Sequence, residues 1–155
     1  MCLFHEKRAG VIVAEFRVLS VVHTVLIKDQ EIVLLRRCNT GHDDGCYGLP
    51  AGRLDGGEQL HEAAAREVYE ECGITVQHQD LKRLGVMHIK TNDGGRIDFF
   101  FTAERWSGEL LNAEPDKCDD IGWFSLDKLP EKLIPFVKQA VGKLRDDFWF
   151  SSHGW

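Results

Sequence analysis

The sequence predicts a single mixed α/β domain, and three observations carry that expectation. β-branched and leucine-rich runs alternate with an alanine- and glutamate-rich run free of proline and glycine, and turn residues separate them. The 155 residues match the usual length of one folded unit. No repeat, low-complexity segment or linker divides the chain. The domain is therefore expected to occupy residues 1–155, with a core over about 17–145 and an aromatic tail over 146–155.

The elements follow in order. Val18 to Lys28 and Glu31 to Arg37 read as two strands of a hairpin turned at Lys28-Asp29-Gln30. Residues 38–48 are rich in glycine, aspartate, asparagine and threonine and read as a loop. Gln59 to Cys72 is a helix that Gly73 terminates. Leu81 to Thr91 and Arg96 to Trp106 form a second strand pair joined by Asn92-Asp93-Gly94-Gly95. In the latter strand Ile97, Phe99 and Phe101 face one way and Phe100 the other, as expected of a sheet packed between two layers. Residues 107–118 are a loop and Ile121 to Ser125 a short strand. Glu131 to Leu144 reads as a helix that tolerates Pro135 only in its first turn.

Composition narrows the functional classes. With 43% hydrophobic and 28% charged residues the chain is ordinary for a soluble globule. Apolar stretches such as Gly10 to Ala14 and Phe99 to Phe101 are too short to cross a bilayer, and no signal core follows the N-terminus, so a cytoplasmic protein without membrane partners is expected. Five cysteines without framework spacing suit a reducing compartment. Cys38, His42 and Cys46 lack the tight pairing of a structural zinc site. A formal net charge of -6 argues against tracking a nucleic-acid polymer, but not against a small phosphorylated substrate.

The chemistry concentrates in the first helix. Glu67, Glu70 and Glu71 stand at i, i+3 and i+4, so their Cβ atoms lie roughly 5 to 6 Å apart on one face. At 100° per residue Glu67 and Glu71 fall within about 40° of the direction of the inward-facing Leu60 and Ala64. Acids on the flank of a packing face are not a plain solvated surface with Glu62–Arg66 and Arg66–Glu70 ion pairs, which would be the bland reading. A helical triad of carboxylates supplies the oxygen ligands that Mg²⁺ takes together with water and phosphate oxygens. Upstream, Gly52-Arg53-Leu54-Asp55-Gly56-Gly57-Glu58 enters the helix as a glycine-rich loop that lets backbone approach a ligand closely.

Gly52, five residues, Glu58, seven residues, Arg66-Glu67-Val68, one residue, Glu70-Glu71, one residue, Gly73-Ile74 resembles the complete box of the Nudix (MutT-like) hydrolase family. Such a match arises by chance in about one in 10⁷ chains of this length. The resemblance implies an α/β/α sandwich with a mixed central sheet, and Mg²⁺-dependent hydrolysis of a phosphoanhydride in a nucleoside diphosphate-X substrate, with Mn²⁺ able to substitute. It assigns metal binding to Glu67, Glu70 and Glu71, with the carbonyl of Ala51 a further ligand. Arg66 would orient a glutamate, and Glu58 would be an auxiliary ligand or helix-end anchor. Glu104 to Glu109 is similar to the ERWxGE segment of bacterial MutT and makes Glu109 the candidate fourth acid, with Glu114 its rival. Arg37 and Arg53 are the cations expected near substrate phosphates.

The segment from Asn112 to Cys118, followed by Trp123, also resembles the branch that converts nucleoside triphosphates to monophosphate and pyrophosphate. ADP-ribose or a dinucleoside polyphosphate is the alternative substrate, and a non-catalytic nucleotide sensor the alternative of another class. Tyr47, Phe99, Trp106 and Trp123 either stack on a base or fill the core. The tail from Phe148 to Trp155 is too aromatic to stand in water, and is expected to dock on the domain, on the substrate pocket or on a second subunit as a homodimer.

Overall fold

The computed structural model describes residues 17–155. Cys2 and the apolar stretch from Gly10 to Ala14 lie outside the described residues. Eight strands, β1 (Leu19–Lys28), β2 (Glu31–Arg37), β3 (Tyr47–Gly48), β4 (Ala51–Arg53), β5 (Leu81–Ile89), β6 (Arg96–Ala103), β7 (Cys118–Ser125) and β8 (Trp149–His153), combine with helices α1 (Leu60–Cys72) and α2 (Pro135–Val141). Their path through the sheet is β3-β2-β1-β6-β5-β8, with β4 on β1 and β7 on β2. The β1–β6 and β5–β8 pairs are parallel and the others antiparallel, so the sheet is mixed.

The pleat explains the layering. In β2, Val33 and Leu35 pack into one core with Ala63, Ala64, Val68 and Cys72 of α1. Their neighbours Ile32 and Leu34 pack into a second core with Phe136, Val137 and Ala140 of α2. Phe101 and Phe100 divide between the same two cores. Both faces are covered, which is why these strands carry continuous apolar runs rather than alternation. The result is an α/β/α sandwich. No helix among the described residues is long and apolar enough to cross a membrane.

Local chemistry fixes the ends. Asp29 and Gln30 both take positive φ, 52° and 63°, giving the twist of a tight hairpin turn. At the start of α1 the Glu62 carboxylate accepts the Gln59 backbone N–H at 2.7 Å. At its end Gly73 sits at φ 70° and donates to the Tyr69 carbonyl at 2.9 Å.

Four elements differ most clearly from expectation. Helix α2 covers Pro135–Val141 rather than Glu131 to Leu144; Pro135 is in its first turn, as required. Tyr47–Gly48 and Ala51–Arg53 are strands too short to show a period in sequence. The aromatic tail is a strand, β8, parallel to β5, with Trp149 buried and Phe150 exposed.

Candidate active site

Helix α1 crosses the β4 edge at Gly52. A Cβ there would lie 1.9 Å from the Glu67 carboxyl carbon, so only glycine admits that carboxylate against the strand. Next to it, the backbone N–H of Ala51 donates to Glu71 Oε2 at 2.8 Å. The loop after β6 is tied to the C-terminal end of α1: Leu111 N–H donates to the Cys72 carbonyl at 3.0 Å and Ala113 N–H to the Glu71 carbonyl at 3.2 Å. That tether brings Glu114 beside Glu71.

These residues open onto one cavity of about 420 Å³, whose walls include Arg37, Ala51, Arg53, Glu67, Glu70, Glu71 and Glu114. Glu58, Arg66 and Glu109 do not line it. Glu109 is exposed, because the next residue, Leu110, turns inward to pack against the α1 core. Of the two candidate acids outside the helix, the fold brings Glu114 to the cavity and leaves Glu109 in solvent. Trp106 and Trp123 stack on each other at 5.9 Å, Phe99 packs on the α1 core, and Tyr47 bonds Asp120; none of the four faces the cavity.

Arg66 lies behind the wall and organises it. Its Nη2 and Nε donate to the two Glu58 oxygens at 2.7 and 3.1 Å, and its Nη1 to Glu67 at 2.7 Å and Glu70 at 3.1 Å. Glu58 also accepts the Asp55 N–H at 2.7 Å, anchoring the loop to the helix start, and these partners hold its carboxyl below the usual range. The guanidinium in turn is held firmly charged, by Glu58 first.

The cavity acids feel the opposite field. Burial pushes the Glu71 carboxyl up to about 8, with the charges of Glu67 and Glu114 adding to the shift and the Ala51 N–H opposing it. Burial also raises Glu67, against the pull of Arg66. Cations sit at the rim. Arg37 Nε donates to the His42 carbonyl at 3.2 Å and its Nη2 lies 3.0 Å from His42 Nε2, while Lys117 Nζ donates to Glu114 at 2.9 Å.

As they stand, Glu67 and Glu70 turn onto Arg66 and Glu71 onto Ala51, and no three acidic, histidine or cysteine side chains among the described residues converge on one point. The donor set nevertheless suits a hard divalent cation: all are carboxylate oxygens, gathered in one cavity, and two are destabilised as anions by their own burial. Such an ion would relieve the strain that Arg66 and the Ala51 N–H now share.

Sequence reasoning missed His23, Arg96 and Phe136, which line the same cavity, Asp98 behind them, and Lys117 at the rim. The available signal was a histidine and an aspartate inside strands apolar on both faces, where an ionisable side chain must be paired.

The three-layered sandwich, with a glutamate-bearing helix closing on a sheet edge, places the chain in the class of Nudix-type domains. The crystal structure of a MutT NUDIX hydrolase from Burkholderia pseudomallei matches with a TM-score of 0.77 and 29% identity, covering 83% of this chain and 99% of that one. The NUDIX domain model matches residues 17–144, and the chain belongs to the Nudix (MutT-like) hydrolase family. It is 33% identical over 119 residues to an ADP-ribose pyrophosphatase of Methanocaldococcus jannaschii, covering 76% of this chain and 68% of that protein. It is also 33% identical over 119 residues to an 8-oxo-dGTP diphosphatase of Escherichia coli, covering 76% of this chain and 88% of the relative.

Proposed function

We propose that the protein hydrolyses a phosphoanhydride bond in a nucleoside diphosphate-X compound, converting a nucleoside triphosphate to the monophosphate and pyrophosphate, with Mg²⁺ or Mn²⁺ as cofactor. One observation carries this reading: Glu67, Glu70, Glu71 and Glu114 share a cavity wall with Arg37 and Lys117. Acids and bases together on one wall suit a ligand that is itself an anion bridged by cations. The Escherichia coli relative, a diphosphatase by name, supports the same bond class.

Glu67, Glu70 and Glu71 would hold the ion, with Ala51 and Glu114 beside them. When bound, it lowers the pKa of a coordinated water and offsets charge on the phosphate oxygens. Arg66 keeps Glu67 and Glu70 in register with the helix start through Glu58. Arg37 and Lys117 take the charge of the departing pyrophosphate, and Arg53 lies at the same mouth. A water oxygen bonds to phosphorus as the bridging P–O bond breaks, and the proton it loses passes to a wall carboxylate or to solvent. The Methanocaldococcus jannaschii relative favours a second reading, ADP-ribose, which presents the same diphosphate with a different attached group.

The test is a hydrolysis panel with nucleoside triphosphates, oxidised deoxynucleoside triphosphates, ADP-ribose and dinucleoside polyphosphates, with products resolved. Turnover is expected to require Mg²⁺ or Mn²⁺ and to stop on chelation. Glu70→Gln and Glu71→Gln are each expected to lower kcat about 100-fold or more while the melting transition persists, because each removes a charged ligand. Full activity in both variants, or metal-independent cleavage by pure protein, defeats the assignment.

A further inference from the structure

Among the described residues the sheet is bounded by β3, β4, β7 and β8. Three of these edges are guarded against pairing with another chain. β3 and β4 are two and three residues long, and β7 carries Asp119 and Asp120. Short edge strands and edge charges are the usual means of preventing such pairing. β8 has neither protection: Trp149–His153 runs for five residues without a lysine, a carboxylate or a proline. It stands last in the sheet, with β5 on one side and no described strand on the other.

The free side of β8 is apolar and its backbone is available. Phe150 pairs with Val86, which in turn pairs with Phe99, so Phe150 lies on the sheet face that α1 covers further in. At β8 that cover has ended. Phe150 is 77% and Phe148 50% exposed, and their rings meet edge-on at 5.1 Å. The Lys90 N–H donates to the His153 carbonyl at 2.9 Å, so His153 turns its backbone toward β5. By alternation along the strand, Phe150 and Ser152 turn theirs outward. Gln139 of α2 donates to the Ser152 carbonyl at 3.1 Å, while the N–H groups of Phe150 and Ser152 have no partner among the described residues.

We infer that β8 is a homodimer interface, on which a second copy of this chain lays its own β8 antiparallel with Phe150 at the two-fold axis. In that register Phe150 faces the second copy's Phe150, and Phe148 faces its Ser152. The outward N–H and C=O groups then bond in reciprocal pairs, as a self-complementary edge requires. The two Phe150 rings become an aromatic cross-strand pair. The register also sets Asp147 opposite the second copy's His153 and brings no like charges together, which matters for a chain of net charge -6. The exposed parts of Phe148 and Phe150 amount to roughly 250 Å² per copy, at about 200 Å² for an aromatic side chain. Over two copies these rings alone supply about half of the roughly 1,000 Å² that a specific interface needs, before the strand backbones are counted. No residue of β5 or β8 lines the glutamate cavity, so both sites stay open in the dimer.

Sedimentation velocity of the whole protein over a concentration series, with amide hydrogen exchange measured at both ends of it, tests this. Wild type is expected to pass from monomer to dimer as concentration rises, and the Phe150 and Ser152 amides to gain protection in step. Phe150→Lys should weaken dimerisation about 30-fold or more, as loss of an interface hot spot does, while hydrolysis and folding are unchanged. The inference is overturned by a wild-type monomer at every concentration, by a dimer that the lysine leaves intact, or by a dimer whose Phe150 and Ser152 amides exchange as in the monomer. A monomer with both amides protected at every concentration also overturns it, in favour of cover by residues 1–16. The wild-type series stands even if the variant folds poorly.

Discussion

At Gly52 the absence of a side chain is what gives Glu67 its place. The residue has no unusual backbone conformation, so its requirement comes from the approach of the carboxylate. In Gly52→Ala the new methyl would meet the mobile end of a side chain rather than backbone, so the fold would lose little while Glu67 must swing away from the cavity. We expect kcat to fall about 100-fold, the usual effect of misplacing a catalytic group by about 1 Å, with the melting temperature within a few degrees of wild type. Wild-type kcat in this variant would show that Glu67 needs no such seat. Residues of this kind were only partly legible in sequence. Spacing along one helix put Glu67, Glu70 and Glu71 together, because i, i+3 and i+4 share a face in any α-helix. Nothing in the spacing could choose between Glu109 and Glu114, since that depends on which loop residue buries itself, and Leu110 does. His23, Asp98 and Arg96 meet only through a parallel pairing of strands more than seventy residues apart, which no local pattern encodes.

Elements long enough to show a period were read closely to their observed bounds: β1, β2, α1, β5 and β6. The short ones were not. β3 and β4 owe their extended form to their partners β2 and β1 rather than to their own sequence, as two- and three-residue strands must. The tail was recognised as needing a surface, but not as a strand, because its aromatics on both sides of the pleat hide the alternation of buried Trp149 with exposed Phe150. Its dock is specific. A Cβ on Gly85 would come within 2.1 Å of the Trp149 ring, and the register of β5 against β6 shifts between Arg83 and Gly85 to make the seat. Trp149→Ala should cost about 3 to 5 kcal/mol, as for other buried tryptophans. Gly85→Ala should destabilise by evicting the same ring, so the double variant should cost clearly less than the sum of the singles in denaturant unfolding. Additive effects would mean that ring and glycine act independently.

For the molecule as a whole, the glutamate wall sets stability against function. The sheet is covered by two apolar cores, while the cavity between them holds a carboxyl that burial pushes up to about 8. In the unfolded chain Glu71 titrates near its ordinary value of 4.5. Between those values the folded protein binds a proton that the unfolded chain has lost, so stability linked to Glu71 is full below 4.5, declines as pH rises, and is lost once the folded carboxyl ionises at about 8. Glu67, raised by burial as well, acts in the same direction. Glu58, held low by Arg66, acts oppositely and only at more acidic pH. The metal-free protein should therefore lose melting temperature relative to Glu71→Gln as pH rises from 4.5 to about 8, by a few degrees, with no further divergence above. A cation that needs the ionised carboxyl should reverse the trend. Saturating Mg²⁺, at about 100 times its Kd, adds about 2.7 kcal/mol to a folded state that alone binds it. Its stabilising effect should grow with pH up to about 8 in wild type and grow less in Glu71→Gln, because binding there displaces no proton from residue 71 and only Glu67 remains raised by burial. Thermal melts of both proteins across this range, with chelator and with Mg²⁺, decide the matter. Parallel curves under all conditions would mean that Glu71 is neither strained without the ion nor relieved by it.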